Sequence, residues 1–268
     1  MLLQSIHMIA PPKTEQYPFH LPLIQNLRKM EFTNPITFLV GENGSGKSTL
    51  LESIAVAVNS ITIGNEPVAT DPTLNAVRQL AACMKLHWKY KRNRGFFMRA
   101  EDFFNFVKQQ EKTRTEMFEH IEEVKETYKD RSPYAQALAM QPYARSLHEI
   151  NAKYGDNLDA NSHGESFFEV FSSRLVPNGL YLMDEPEAAL SPMRQLAFIV
   201  MLQDAVKDGS QFIIATHSPI LLAYPGAKIL EVKNDQLQET PYDQLEHVQF
   251  TKSFLENPQR FLRHLQDD

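Results

Sequence analysis

Cysteine is nearly absent from this chain. Cys83 is the only one in 268 residues, which excludes an intramolecular disulfide framework and a cysteine-based zinc site. Long hydrophobic runs are missing too. Nothing approaches the ~20 consecutive apolar residues that span a bilayer, so no membrane insertion is expected. The opening MLLQSIHMIAPP has neither a basic stretch nor a sustained apolar core, so no secretory signal is read and a cytoplasmic location is expected. Positive charge is also in short supply. The formal net charge is −6, and any contact with nucleic acid has to be local. Apolar residues at 43% suffice for one core, and no repeat or long linker divides the chain, so one domain with an inserted lobe is expected.

Glycine is sparse as well, yet three of the ten glycines fall within one short stretch, Gly41-Glu42-Asn43-Gly44-Ser45-Gly46-Lys47-Ser48-Thr49. Gly41, Gly46, Lys47 and Ser48 satisfy G-x-x-x-x-G-K-[ST]. Ile36 to Val40 before it read as a buried strand, and the residues from Thr49 onward as a helix with Leu50, Leu51, Ile54 and Val58 on one face. In that setting backbone N–H groups turn inward around a phosphate at a helix N-terminus, where the helix dipole adds to the attraction. Lys47 reaches the terminal phosphates and the Ser48 hydroxyl completes a Mg²⁺ shell. The chain is expected to bind a nucleoside triphosphate.

Further along, Leu74, Val77, Leu80 and Ala81 have helical spacing. From Met84 to Lys91 apolar and polar residues alternate as in a half-exposed strand, and KRNRG followed by FFM predicts a hairpin. The text from Glu101 to about Ala160 is helical, divided into pieces by Pro133 and Pro142. Strand-like runs return at Gly179–Met183, Phe212–Ala215 and Lys228–Val232. Strands alternating with helices imply an α/β fold whose main sheet is largely parallel and covered on both faces. The expected organisation is a nucleotide-binding core over 1–100 and 165–268, with a helical lobe inserted over 101–164.

Three more segments carry chemistry. In YLMDEP a strand ends in Asp184 and Glu185. Beside a phosphate loop, Asp184 is placed to hold Mg²⁺ and Glu185 to orient or deprotonate the attacking water. His217 follows the strand FIIAT one strand–helix–strand unit later, so both strand ends open on the same sheet edge. A histidine there can hydrogen-bond a γ-phosphate or the attacking water. The third segment is NSHGESF, with Ser162, His163, Gly164 and Glu165, which taken alone reads equally as a helix N-cap.

Together the four motifs resemble the ABC-type ATPase family, in order and in spacing, from about Tyr17 to Ala223. SHGE stands where that family has its LSGGQ signature, with Asn161, His163 and Glu165 as departures. Glu187 to Ser191 corresponds to the D-loop, with serine in place of the usual aspartate. VGENGSGKSTLLE, the FFMRAEDFFN segment (with Asp102 departing) and SHGESF are similar to phrases of small single-domain bacterial ATPases in that family. The resemblance implies ATP and Mg²⁺ as cofactors, with Ser162 and Gly164 contacting the γ-phosphate of ATP held by a second subunit. It also implies an ATP-hydrolysing enzyme, and one composite site per chain makes a homodimer the simplest closed solution. A slow ATP-dependent switch that recruits a partner is the alternative, and the ATPase subunit of a membrane transporter is a third.

The resemblance raises two weaker candidates. An aromatic upstream of the phosphate loop stacks on adenine in many members, and Tyr17 is best placed for it, with burial beside Phe19 as the competing reading. The family's glutamine at the core–lobe junction, a Mg²⁺ contact, is replaced by Glu101 or Arg99; Glu101 is a candidate metal contact or an ordinary helix-start acid. Apart from the resemblance, no acid occurs between Asp71 and Glu101, while Arg78, Lys85, Lys89, Lys91, Arg92, Arg94 and Arg99 do. With Trp88, Tyr90, Phe96 and Phe97 interleaved, the Lys85–Arg99 stretch is either a solvated hairpin face or a contact for nucleic-acid phosphates. The stretch from Lys47 to Ser162 holds no room for the long coiled-coil arms of chromosome-maintenance ATPases.

Overall fold

The computed structural model describes residues 1–9, 12, 14–92, 94–154 and 163–263, with the side chains at 153–154 and 163–165 left aside. The strands are β1 (Leu3–Met8), β2 (Lys29–Glu31), β3 (Ile36–Val40), β4 (Met84–Trp88), β5 (Phe97–Arg99), β6 (Leu180–Asp184), β7 (Gln211–Ala215), β8 (Lys228–Lys233) and β9 (Gln236–Glu239). The helices are α1 (Pro22–Asn26), α2 (Lys47–Ala57), α3 (Asn75–Ala82), α4 (Ala100–Thr127), α5 (Pro133–Tyr154), α6 (His163–Arg174), α7 (Pro192–Lys207), α8 (Pro219–Leu222), α9 (Glu246–Glu256) and α10 (Pro258–Leu262).

Six strands form the main sheet in the order β5-β6-β7-β3-β8-β9, parallel throughout except for β9, which returns antiparallel on β8. β3, β6 and β7 are buried at every position, as their unbroken apolar runs require in a sheet covered on both faces. Successive residues feed opposite cores. Phe38, Met183, Phe212 and Ile214 meet Phe103, Phe167, Phe171 and Phe198 on one side. Leu39, Leu182 and Ile213 meet Leu50, Leu51 and Ile54 of α2 on the other. That second core is closed by an antiparallel sheet, β2-β1-β4. A mainly parallel sheet, an antiparallel β element and an inserted pair of helices make up the α/β architecture expected of an ABC-type P-loop ATPase.

Two local expectations fail. β4 and β5 do not form a hairpin. β4 pairs with β1 in the small sheet, whereas β5 lies parallel to β6 at the edge of the large one. The chain crosses between sheets at Gly95, whose φ is +107° and whose missing side chain lets the backbone lie against Leu180, where an added Cβ would come within 1.9 Å of the carbonyl oxygen. The ladder continues on both sides of it, Leu180 N donating to Arg94 O at 2.8 Å and Leu182 N to Phe96 O at 3.0 Å.

Pro142 does not break the lobe. It sits inside α5, and the carbonyl four residues earlier that loses its partner belongs to Leu138, an exposed residue on the solvent side of the helix, where the lost bond costs least. Pro133 instead starts α5. α4 and α5 pack against each other, and α4 buries only Phe103 and Val107, both close to its N-terminus.

Candidate functional site

β3 delivers the chain to residues 41–46, and α2 begins at Lys47. Gly46 caps α2 with φ 92° and ψ 10°, a left-handed conformation that side-chain-bearing residues rarely adopt and that turns the loop back onto the helix axis. Lys47 folds over this turn. Its buried ammonium donates to Gly41 O at 2.7 Å and Glu42 O at 2.8 Å. Burial lowers its pKa, while Asp184 and Glu185 hold it up. Thr49 is buried and pairs with Tyr17, Oγ1 to Oη at 2.9 Å. A cavity of about 460 Å³ opens between Tyr17, Gly44, Lys47 and Glu185, with Asn43 and Ser48 on its wall. Ser45 sits inside the turn, its buried Oγ without a hydrogen-bond partner.

The parallel ladder sets the opposite wall. Asp184 at the end of β6 is the register partner of Ala215 at the end of β7, and both strands finish at the edge where β3 gives way to the loop. Asp184 is buried. Burial pushes its carboxyl up to about 6, against a hydrogen bond from Ser48 and the charge of Lys47, with Glu185 and Glu187 adding to the rise. Glu185 has φ 51° and ψ 51°, left-handed for a non-glycine residue, and its N–H donates to Ala215 O at 2.9 Å. Its side chain is half exposed, with Oε1 at 3.9 Å from His217 Nε2. Burial lowers the His217 pKa, as does Lys47, while Glu185 opposes them. The balance favours the neutral ring.

The donor set suits Mg²⁺. Asp184 Oδ1 is buried without a hydrogen-bond partner, and the Ser48 hydroxyl lies on the same carboxylate. One carboxylate and one hydroxyl at the foot of a phosphate loop, with room for water, are hard oxygen ligands of the kind this ion takes. Ser48 and Asp184 are the residues that would hold it. Glu101 stands apart from them. Its side chain is largely exposed and meets Arg99 Nε at 3.4 Å. The residue in register with Asp184 is Arg99. Ser162 lies outside the described residues, and Gly164 falls in the first turn of α6.

The basic stretch is not one continuous patch. Arg78 turns inward to Asp71 O and Asn75 Oδ1, at 2.8 and 2.5 Å. Arg99 is nearly buried among Glu52, Asp71, Asp102 and Thr73. Lys85, Lys89, Lys91, Arg92 and Arg94 remain exposed.

Sequence reasoning passed over Glu52, which lies one helical turn beyond Ser48, and named Glu187 only as the start of the D-loop segment, without a partner; it accepts a hydrogen bond from His217 N at 2.7 Å. It also passed over His247 of α9, whose Nε2 is buried without a partner and whose pKa is lowered by burial and by His217, with Glu231 opposing. The spacing of Ser48 and Glu52 by four was the one available signal.

Fold and site together define an α/β domain with a phosphate-loop site at the edge of its parallel sheet. A family model described as "AAA domain" matches residues 19–169, more than half of the chain, and a second, described as "AAA domain, putative AbiEii toxin, Type IV TA system", matches residues 167–223. The chain belongs to the AAA-domain family, and it is an ATPase.

Among solved structures it is similar to CbiO1 from Clostridium perfringens, part of the ABC transporter complex CbiONQ, at 16% identity, covering 100% of this chain and 99% of that one with a TM-score of 0.49. A nucleotide-free ATP-binding cassette from an ABC transporter matches at 16% identity over 97% and 99% of the two chains, TM-score 0.46. The Smc head domain of Pyrococcus furiosus matches at 13% identity over 96% and 99%, TM-score 0.44. No curated protein matches the sequence. Among the described residues no helix is long and apolar enough to cross a membrane.

Proposed function

We propose that the chain is a Mg²⁺-dependent ATPase whose site is completed by a second copy of itself. The observation that supports this most is the convergence of Lys47, Ser48, Asp184, Glu185 and His217 on one sheet edge whose outer side faces solvent, the side chains of Glu185 and His217 being 49% and 37% exposed. On this reading the Lys47 ammonium exchanges its loop carbonyls for phosphate oxygens. Ser48 and Asp184 hold Mg²⁺, which neutralises charge on the terminal phosphates when bound. Glu185 orients the attacking water and accepts its proton, and neutral His217 offers a hydrogen bond to the γ-phosphate or to that water. Tyr17 covers the adenine side of the cavity. The outer face is filled by Ser162 and Gly164 of the second copy.

Steady-state phosphate release, together with light scattering with and without ATP, tests the reading. Glu185→Gln is expected to bind ATP, to lose about 10²–10⁴ in turnover and to accumulate as a dimer. Wild-type turnover in that variant, or no ATP-dependent gain in mass, would refute the assignment. Negligible turnover of the unmodified protein with clear ATP-dependent dimerisation would instead make it a slow switch.

A further inference from the structure

Glu185 and His217 come from different strands; the ladder ties the strand ends together as far as the Glu185 N–H on Ala215 O, and beyond that bond the backbone of His217 is held by side chains. Glu185 leaves β6 in a left-handed conformation, and His217 follows β7 with no helix until α8. Between them stands Glu187, in the single 3₁₀ turn Pro186–Ala189 that follows Glu185. Its Oε1 accepts from His217 N at 2.7 Å, and the Thr216 hydroxyl donates to the same carboxyl group. A second tie runs beside it. Ser218 Oγ donates to Gln195 Oε1, and Gln195 Nε2 donates to Leu190 O at 3.1 Å. Of the two, only the Glu187 tie touches His217 itself.

We propose that Glu187 is a positioning residue for hydrolysis, locking the turn that carries Glu185 to the backbone of His217 so that their side chains face one water. The proposal rests on the assignment of Glu185 and His217 made above. Because Oε1 is already taken by the His217 N–H and the buried carboxyl does not line the cavity beside Lys47 and Glu185, Glu187 acts through geometry and not as a second base. Its contact is to a backbone N–H, so what matters is an acceptor at the right reach. A side chain shorter by one carbon falls about 1.5 Å short, which opens the 2.7 Å contact past hydrogen-bonding range.

Two conservative variants separate reach from charge. Glu187→Gln keeps an acceptor at the same reach and loses the charge; Glu187→Asp keeps the charge and loses the reach. The proposal expects Glu187→Gln to stay within about threefold of the unmodified kcat, and Glu187→Asp to fall about 10–100-fold with KM for ATP nearly unchanged. The double variant Glu187→Asp/His217→Ala should be no slower than His217→Ala, because the two changes disable one unit. The reverse order of Gln and Asp, unchanged turnover in Glu187→Asp, or fully multiplicative losses in the double variant would overturn it. Unimpaired His217→Ala would overturn the parent assignment as well, whereas impaired His217→Ala with normal Glu187→Asp removes this proposal alone.

Discussion

Arg99 and Asp184 are register partners across the β5–β6 ladder, yet their side chains part company. The Arg99 guanidinium turns to Asp102 at 2.9 Å, Asp71 at 3.1 Å and Glu52 at 3.6 Å, which leaves the Asp184 carboxyl free for Ser48. One arginine thus gathers the acids of three separate segments beside the sheet edge that carries Asp184, at the point where β5 becomes α4.

Removing that arginine strands its partners. Arg99→Met keeps the volume of the side chain but leaves Glu52, Asp71 and Asp102, each 17% exposed, without their common cation. A loss of about 3–5 kcal/mol in urea-unfolding stability is expected. A loss under about 1 kcal/mol would mean that the cluster is solvated and the cation dispensable.

Glu52 has a pH signature of its own. Burial pushes its carboxyl to about 7, against the pull of Arg99 and with Asp184 adding to the rise. The folded chain then holds this proton more tightly than the unfolded chain, so the stabilisation is complete below the unfolded value of 4.5 and disappears as pH rises through 7. Glu52→Gln should therefore be more stable than the unmodified protein at pH 8, by on the order of 2 kcal/mol, with the gap closing by about pH 5. Nucleotide-free denaturant titrations at the two pH values measure it, and a pH-independent gap would contradict it.

Gly95 is irreplaceable on steric grounds. A Cβ there meets backbone rather than a movable side chain, and the positive φ adds strain. Gly95→Ala should cost about 3 kcal/mol or more, or prevent soluble expression, because β5 cannot then reach β6. Thermal denaturation within a few degrees of the unmodified protein would show that the crossing can shift.

Tyr17 has two separable parts. Its hydroxyl pairs with Thr49 while its ring stands 48% exposed beside the cavity. If the ring carries the base, Tyr17→Phe keeps ATP affinity and Tyr17→Ala weakens it by about 1–2 kcal/mol, read by calorimetry with a non-hydrolysable analogue. Equal losses in both variants would assign the effect to the hydroxyl.

Legibility in the sequence followed locality. Gly41 to Thr49 could be read because strand, loop and helix are contiguous, and Asp184 and His217 because each ends an apolar run one helix apart. Ile36–Val40 and Leu180–Asp184 announced buried strands by having no polar position to show. The Arg99 cluster was illegible because its members, Glu52, Asp71 and Asp102, are scattered along the chain and meet only once β5 has joined β6. The same non-local pairing defeated the expected hairpin, since nothing near Gly95 reveals that its neighbour is Leu180. Phe19 is buried while Tyr17, two residues earlier, is not, a distinction that depends on where α2 happens to lie.

The helix that starts at Ala100 is 28 residues long, so it extends about 42 Å from its foot. Its only buried side chains, Phe103 and Val107, sit at that foot, within about two turns of Arg99, the register partner of Asp184. The arrangement is a gear with a short input arm and a long output arm. A rotation of about 10° at the base would sweep the far end through roughly 7 Å, more than the rise of one helix turn.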